Sequence, residues 1–199
     1  MQSNQLRWRN LLTTFSQTLI QNRHEQDTWE LTQEMIDQCF LGYAGASDAQ
    51  IQELEDKLGV CLPPSYKGFL KVTDGWRECD WSEMRLLGTD EIDWLRNKYP
   101  GHIEAFEPKS RERPSVTDKE YFVYGDEQDS VLFRVEYLFN ALSISSECWE
   151  GDILVLIPDV KTDDGEWEAW WVGYKLPGAM RFRSFREMML YIFEKGQLI

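Results

Sequence analysis

Trp8, Leu11, Leu12, Phe15 and Leu19 recur at helical spacing, and this pattern predicts an amphipathic helix from Leu6 to Ile20. A polar stretch from Gln21 to Asp27 separates it from a second predicted helix over Glu30 to Phe40. Met35, Ile36, Cys39 and Phe40 form the apolar side of that helix, and Gly42 and Gly45 break it. Ser47-Asp48-Ala49-Gln50 is a capping box. The Ser47 hydroxyl can accept from a free N–H three residues on, and Gln50 can reach back. Ile51, Leu54 and Leu58 then line one helical face until Gly59, where a left-handed residue costs little. Leu62 is extended because a proline follows it. Pro63 and Pro64 open another helix with Tyr66, Phe69 and Leu70 on its apolar face, and Asp74-Gly75 stops it.

The period changes after Gly75. Met84 to Leu87 reads as a short strand, and Asp90 is placed to cap a short helix carrying Ile92 and Leu95. Lys98 to Ser115, with its prolines and charges, reads as a surface loop. Strand-like runs follow at Tyr121–Tyr124, Val131–Val135, Ile153–Ile157 and Glu168–Tyr174, with Asp164-Gly165 as a hairpin turn. Ser184 to Glu187 forms a second capping box, ahead of a helix presenting Phe185, Met188, Met189, Ile192 and Phe193. Helices, then strands, then one helix predict an α+β fold, with a mainly antiparallel sheet and helices on one face. Residues 1–40 read as a helical extension packed on a main domain of residues 41–199.

Charge narrows the partners. The chain has 21 Lys+Arg against 35 Asp+Glu, a formal net charge of −14. Such a chain repels phosphate backbones, which argues against nucleic acid and leaves room for a basic protein partner. Cys39, Cys61, Cys79 and Cys148 form no C-x-x-C pair and have no histidine at ligand spacing, so neither a disulfide framework nor a metal site is expected. No export signal or bilayer-length apolar run is visible, which points to the cytoplasm. The two histidines, His24 and His102, fall in polar or loop sequence, and no nucleophile elbow, P-loop or dinucleotide fingerprint occurs. Neither an enzyme nor a cofactor is expected. Asp126, Glu127 and Asp129 cluster between two predicted strands. They read as a solvated hairpin loop, or more sharply as a Ca²⁺ loop without the closing Glu of an EF-hand.

Three blocks resemble the SUKH superfamily, which includes the fungal Smi–Knr cell-wall regulators and many bacterial proteins. The first holds Ser47, Leu54-Glu55, Leu58-Gly59, Leu62-Pro63, Tyr66, Phe69-Leu70 and Asp74-Gly75, with Asp74 where the family usually has Asn. The second runs from Val155 through Asp164-Gly165-Glu166-Trp167-Glu168 to Trp170. The third runs from Leu176-Pro177-Gly178 through Ser184-Phe185 to Met189. The resemblance implies a binding protein without chemistry of its own. Its bacterial members are regarded as immunity proteins against toxins, many of them nucleases, and its fungal members as regulatory scaffolds. Leu54, Glu55, Gly59, Leu62, Pro63, Tyr66, Gly75, Trp167 and Phe185 are then structural motif positions. Glu55 is expected to accept hydrogen bonds from a nearby loop backbone.

Two stretches are candidate partner contacts. In the first, Glu166, Glu168 and Trp170 share one strand face, a mixture of carboxylates and an indole that suits a basic partner. Alternatively Trp170 packs under the C-terminal helix or the N-terminal extension. In the second, Trp76, Glu78, Asp80, Trp81, Glu83, Asp90, Glu91, Asp93 and Trp94 alternate acid and aromatic without a core period. This stretch reads either as a contact surface with aromatic anchors or as a variable loop.

Overall fold

A computed structural model describes residues 2–24, 29–78, 84–112, 115–148, 150–173 and 178–195. The chain forms two compact units, Met1–Glu91 with Met189–Ile199, and Ile92–Met188. Residues 1–40 share a unit with the residues up to Glu91.

The first unit is helical. Helix α1 spans Gln2–Asn22, α2 Gln33–Gln38, α3 Asp48–Leu58 and α4 Pro64–Leu70. Helix α2 is shorter than its apolar pattern suggests. Thr32 caps it by accepting from the Met35 N–H at 3.3 Å, and Cys39 turns left-handed and ends it. The capping box of α3 forms as expected, with the Ser47 hydroxyl accepting from the Gln50 N–H at 3.2 Å and Gln50 Oε1 accepting from the Ser47 N–H at 3.0 Å. Gly59 closes α3 at a φ of 70°, a conformation only glycine adopts cheaply. Trp8 meets Phe69 edge-on at 5.6 Å, and the buried Trp76 lies 6.1 Å from Phe15 and 5.8 Å from Phe40. The apolar stripe of α3 is buried like those of α1 and α4, and Trp8 against Phe69 joins α1 to α4.

Two acids hold the loops of this unit. Glu55 accepts from the Leu62 N–H at 2.6 Å and pairs with the Lys67 ammonium at 3.0 Å, so it ties α3 to the entry of α4. Asp74 accepts from both the backbone N–H and the hydroxyl of Thr89, at 2.7 and 3.0 Å. A carboxylate at position 74 can use both oxygens as acceptors here, where an amide has only one. Gly75, at a φ of 91°, leaves no room for a side chain, because a Cβ would sit 2.8 Å from the Leu86 carbonyl. The predicted strand Met84–Leu87 reduces to one bridge between Leu86 and Trp76.

The second unit is built on a five-stranded antiparallel sheet of consecutive strands: β1 Asp93–Trp94, β2 Leu142–Ser143, β3 Ile153–Lys161, β4 Trp167–Gly173 and β5 Gly178–Phe182. The β3–β4 hairpin turns at Asp164-Gly165 as predicted, and its register shifts between Ile157 and Lys161, where Pro158 has no N–H to give the ladder. Ile153, Val155, Ile157, Trp170, Val172 and Ala179 form one hydrophobic cluster with Ile103, Phe106, Tyr121, Phe133 and Leu138. The helices of the unit are α5 Leu95–Lys98, α6 Pro100–Glu112 and α7 Asp118–Tyr121. Helix α8, Phe185–Lys195, closes the chain.

Three sequence expectations change here. Residues 98–115 contain the last residue of α5 and all of α6 rather than a loop: Pro100 is the first residue of its helix, where a missing N–H is harmless. Tyr121–Tyr124 and Val131–Val135 are not strands. Tyr121 ends α7, and Val135 opens a 3₁₀ turn to Asn140. Tyr121, Phe133 and Val135 pack onto the sheet instead of extending it, which shows how strand propensity can record burial against a pleated surface. Asp90 caps no helix, since α5 begins at Leu95 after β1.

Both sheet edges are closed. On β5 the outward N–H of Ala179 donates to the Ser130 carbonyl at 2.9 Å, and that of Arg181 to Gln128 Oε1 at 2.7 Å. Strand β1 has two residues, and the Trp94 N–H donates to the Asp93 carboxylate at 2.7 Å. Short or covered edges resist pairing with a second chain. Among the described residues, no helix is long and apolar enough to cross a membrane.

Candidate partner-binding surface

The Glu166–Trp171 segment forms β4 with the turn before it, and the structure closes most of the face expected to meet a partner. Glu168 is 1% exposed and Trp170 is fully buried. Trp170 packs edge-on against Phe133 at 5.6 Å and near Tyr137 at 6.5 Å, in the hydrophobic cluster of the second unit. Trp167 is buried as well, with the Lys161 ammonium 5.3 Å from its ring centre. Glu166 alone stays partly accessible, its N–H donating to the Thr162 hydroxyl at 3.0 Å.

Glu168 belongs to a buried polar cluster. Its Oε2 accepts from the Tyr121 hydroxyl and, at 2.8 Å, from the Trp170 indole N–H. Oε1 has no hydrogen-bond partner among the described residues. Arg181 on β5 is also buried and donates to the carbonyls of Tyr121 and, at 3.2 Å, Val123. Its guanidinium lies 4.6 Å from the Tyr121 ring centre and 5.7 Å from that of Tyr124. Arg134 approaches Tyr121 at 4.6 Å, and Arg183 approaches Tyr124 at 4.7 Å. Three arginines and two tyrosines thus alternate, and the buried charge of Arg181 is spread over ring faces and carbonyl dipoles.

Burial pushes the Glu168 carboxyl above its ordinary pKa, and the hydrogen bonds from Tyr121, Trp170 and Tyr124 and the charge of Arg181 pull it only part of the way back. Burial first, then the neighbouring Glu168, raises the phenols of Tyr121 and Tyr124. Oε1 can carry a proton while Oε2 keeps its donors. Because the folded chain holds that proton more tightly than the unfolded chain, the contribution of Glu168 to stability is full below the ordinary carboxylate range and is lost as pH rises through the raised value. Glu168→Gln should flatten this slope. Urea midpoints measured across the mildly acidic range for both proteins check this, and parallel curves would contradict it.

The 76–94 stretch divides differently. In the first unit Trp76 is core, bonded through its backbone to Leu86 at 3.0 and 2.9 Å. Glu78 and Asp90 are exposed, and Glu91 forms a two-pronged pair with Arg85 at 2.6 and 2.5 Å. In the second unit Asp93 accepts from Asn97 at 2.8 Å, and the half-buried Trp94 carries the Arg96 guanidinium 5.4 Å from its ring centre. Asp80, Trp81 and Glu83, with Cys79, lie outside the described residues.

Chemistry is sparse. Among the described residues no three His, Cys, Asp or Glu side chains gather to hold a metal ion, and the exposed Asp126, Glu127 and Asp129 form no such group. His102 is buried and lies 2.9 Å from Glu147, in helix α6 rather than in a solvated loop. Sequence reasoning missed Arg181 and Tyr121 as cluster members. The available signal was a charged residue two positions after Ala179, on a strand face that otherwise points inward.

No curated protein matches the chain in a sequence comparison. The profile of the SMI1 / KNR4 family (SUKH-1) matches residues 45–190, which takes in α3, α4, the whole sheet and the start of α8. The Ser47 cap, the Glu55 tie to Leu62, the Asp74 clasp and the Trp170 core all fall inside that span, and on it the chain belongs to the SMI1 / KNR4 family (SUKH-1).

Proposed function

We propose that this chain is a cytoplasmic immunity protein that binds and neutralises a toxin domain with a basic surface, and that it performs no catalysis. The observation that carries the reading is the use of the buried ionisable groups. Glu168 and Arg181 lie in the core, where Glu168 Oε2 and the two Arg181 Nη groups bond neighbouring protein groups, while acids such as Glu78, Asp90, Asp126 and Glu127 remain outside. Family membership supports the same reading, since the family includes immunity proteins and is generally non-catalytic. Excess surface carboxylate speeds encounter with a basic partner and makes association sensitive to salt.

The test is copurification with the toxin-like product encoded beside the gene. A one-to-one complex whose association rate falls steeply with added salt is expected. Absence of any complex at low salt, with both proteins folded, would remove that toxin as the partner.

A further inference from the structure

In the second unit, α7 and the turn after it enclose a depression of about 400 Å³. Val123 and Leu132 give it apolar lining, and Glu120, Glu127 and Asp129 surround them against the single cation Lys119. On adjoining positions Phe122 and Val131 remain 47% and 40% exposed. From Thr117 to Glu136 the chain has six acids and two bases, and one of those bases, Arg134, is paired with Asp118. We propose that this depression is the docking surface for a partner segment that presents a lysine or arginine next to an apolar side chain.

Acidity alone would make only a solvated rim. The apolar element is what adds binding free energy, because the Val123 and Leu132 lining bordered by carboxylates resembles the anchor and rim of strong interfaces. The surface is also held in place before any partner arrives. Phe122 packs edge-on against Tyr121 at 5.0 Å and lies 5.8 Å from the Arg134 guanidinium. The following turn is tied to β5 through Gln128 and Ser130, and the Asp129 carboxylate accepts from the Val131 N–H at 2.9 Å. Little loop ordering remains to oppose binding. An acidic or purely apolar segment fits less well: the rim repels the first and gives the second no charge partner.

This assignment rests on the reading that the chain acts by binding a protein, and the experiment separates the two. A synthetic peptide of alternating arginine and leucine is titrated into the isotopically labelled full chain, with an aspartate-leucine peptide as control. Backbone amide shifts confined to residues 117–132 are expected for the basic peptide alone, with Glu127→Lys and Phe122→Ala each weakening binding on the order of tenfold. The same two variants should weaken the toxin complex, while Glu53→Lys on α3 leaves it unchanged. Shifts that centre elsewhere, equal response to the acidic peptide, or full affinity in both variants would overturn the docking assignment. A chain that binds the basic peptide here but no toxin would overturn the immunity reading and leave the docking surface standing.

Discussion

Arg181→Met is expected to destabilise the protein by about 3–5 kcal/mol, the usual loss when one member of a buried charge cluster is removed. Methionine fills much of the volume but leaves the carbonyls of Tyr121 and Val123 without the Arg181 donors and Glu168 without the charge of Arg181. It also removes the cation between two tyrosine rings. Arg181→Lys should recover little, because one ammonium cannot reach two separate carbonyls with the fixed fork of a guanidinium. Glu168→Gln should cost less than Arg181→Met, since the amide oxygen can still accept from the Tyr121 hydroxyl and the Trp170 indole. Urea denaturation of the three variants checks this order. A loss below about 1 kcal/mol for Arg181→Met would mean that the cluster is tolerated rather than stabilising.

The second large effect is expected at Leu54. It is 2% exposed on the inward face of α3, between Ile51 and Leu58 on the same stripe. Leu54→Asp buries a charge with no partner in place of a packed side chain, at a cost on the order of 3 kcal/mol or more. Against a total stability of about 5–15 kcal/mol for a typical domain, that change unfolds a large share of molecules on mild heating. Glu53→Ala, on the exposed face of the same helix, should leave the melting temperature nearly unchanged. Equal melting temperatures for Leu54→Asp and the parent protein would show that α3 does not bury this face.

How much of this was legible in the sequence depended on where the information lies. Helix α3 was readable to the residue, because its cap, its apolar period and its terminal glycine are all local. The β3–β4 hairpin was equally plain from its turn. Tyr121–Tyr124 and Val131–Val135 were misleading because Tyr121, Phe133 and Val135 pack against the sheet, and burial alone imitates a strand. Helix α6 was hidden by Pro100, which marks a loop and a helix start equally well. The polar cluster was illegible for a different reason. Glu168, Tyr121 and Arg181 are far apart in the chain, and only the pairing of β4 with β5 and the return of α7 bring them together. As a result Glu168 and Trp170, which read as a mixed contact face on an isolated strand, turn out to be interior. The more accessible acid and aromatic groups sit on the segment around Phe122 and Glu127.

The central claim, that this chain protects by binding, is tested most directly by survival. Cells expressing the toxin-like product encoded beside the gene are scored for viability with and without this chain, supplied as the parent protein or as Glu127→Lys. The account predicts full rescue by the parent, and weaker rescue by Glu127→Lys at equal expression and equal melting temperature. Cell death with the parent protein present and folded would contradict it.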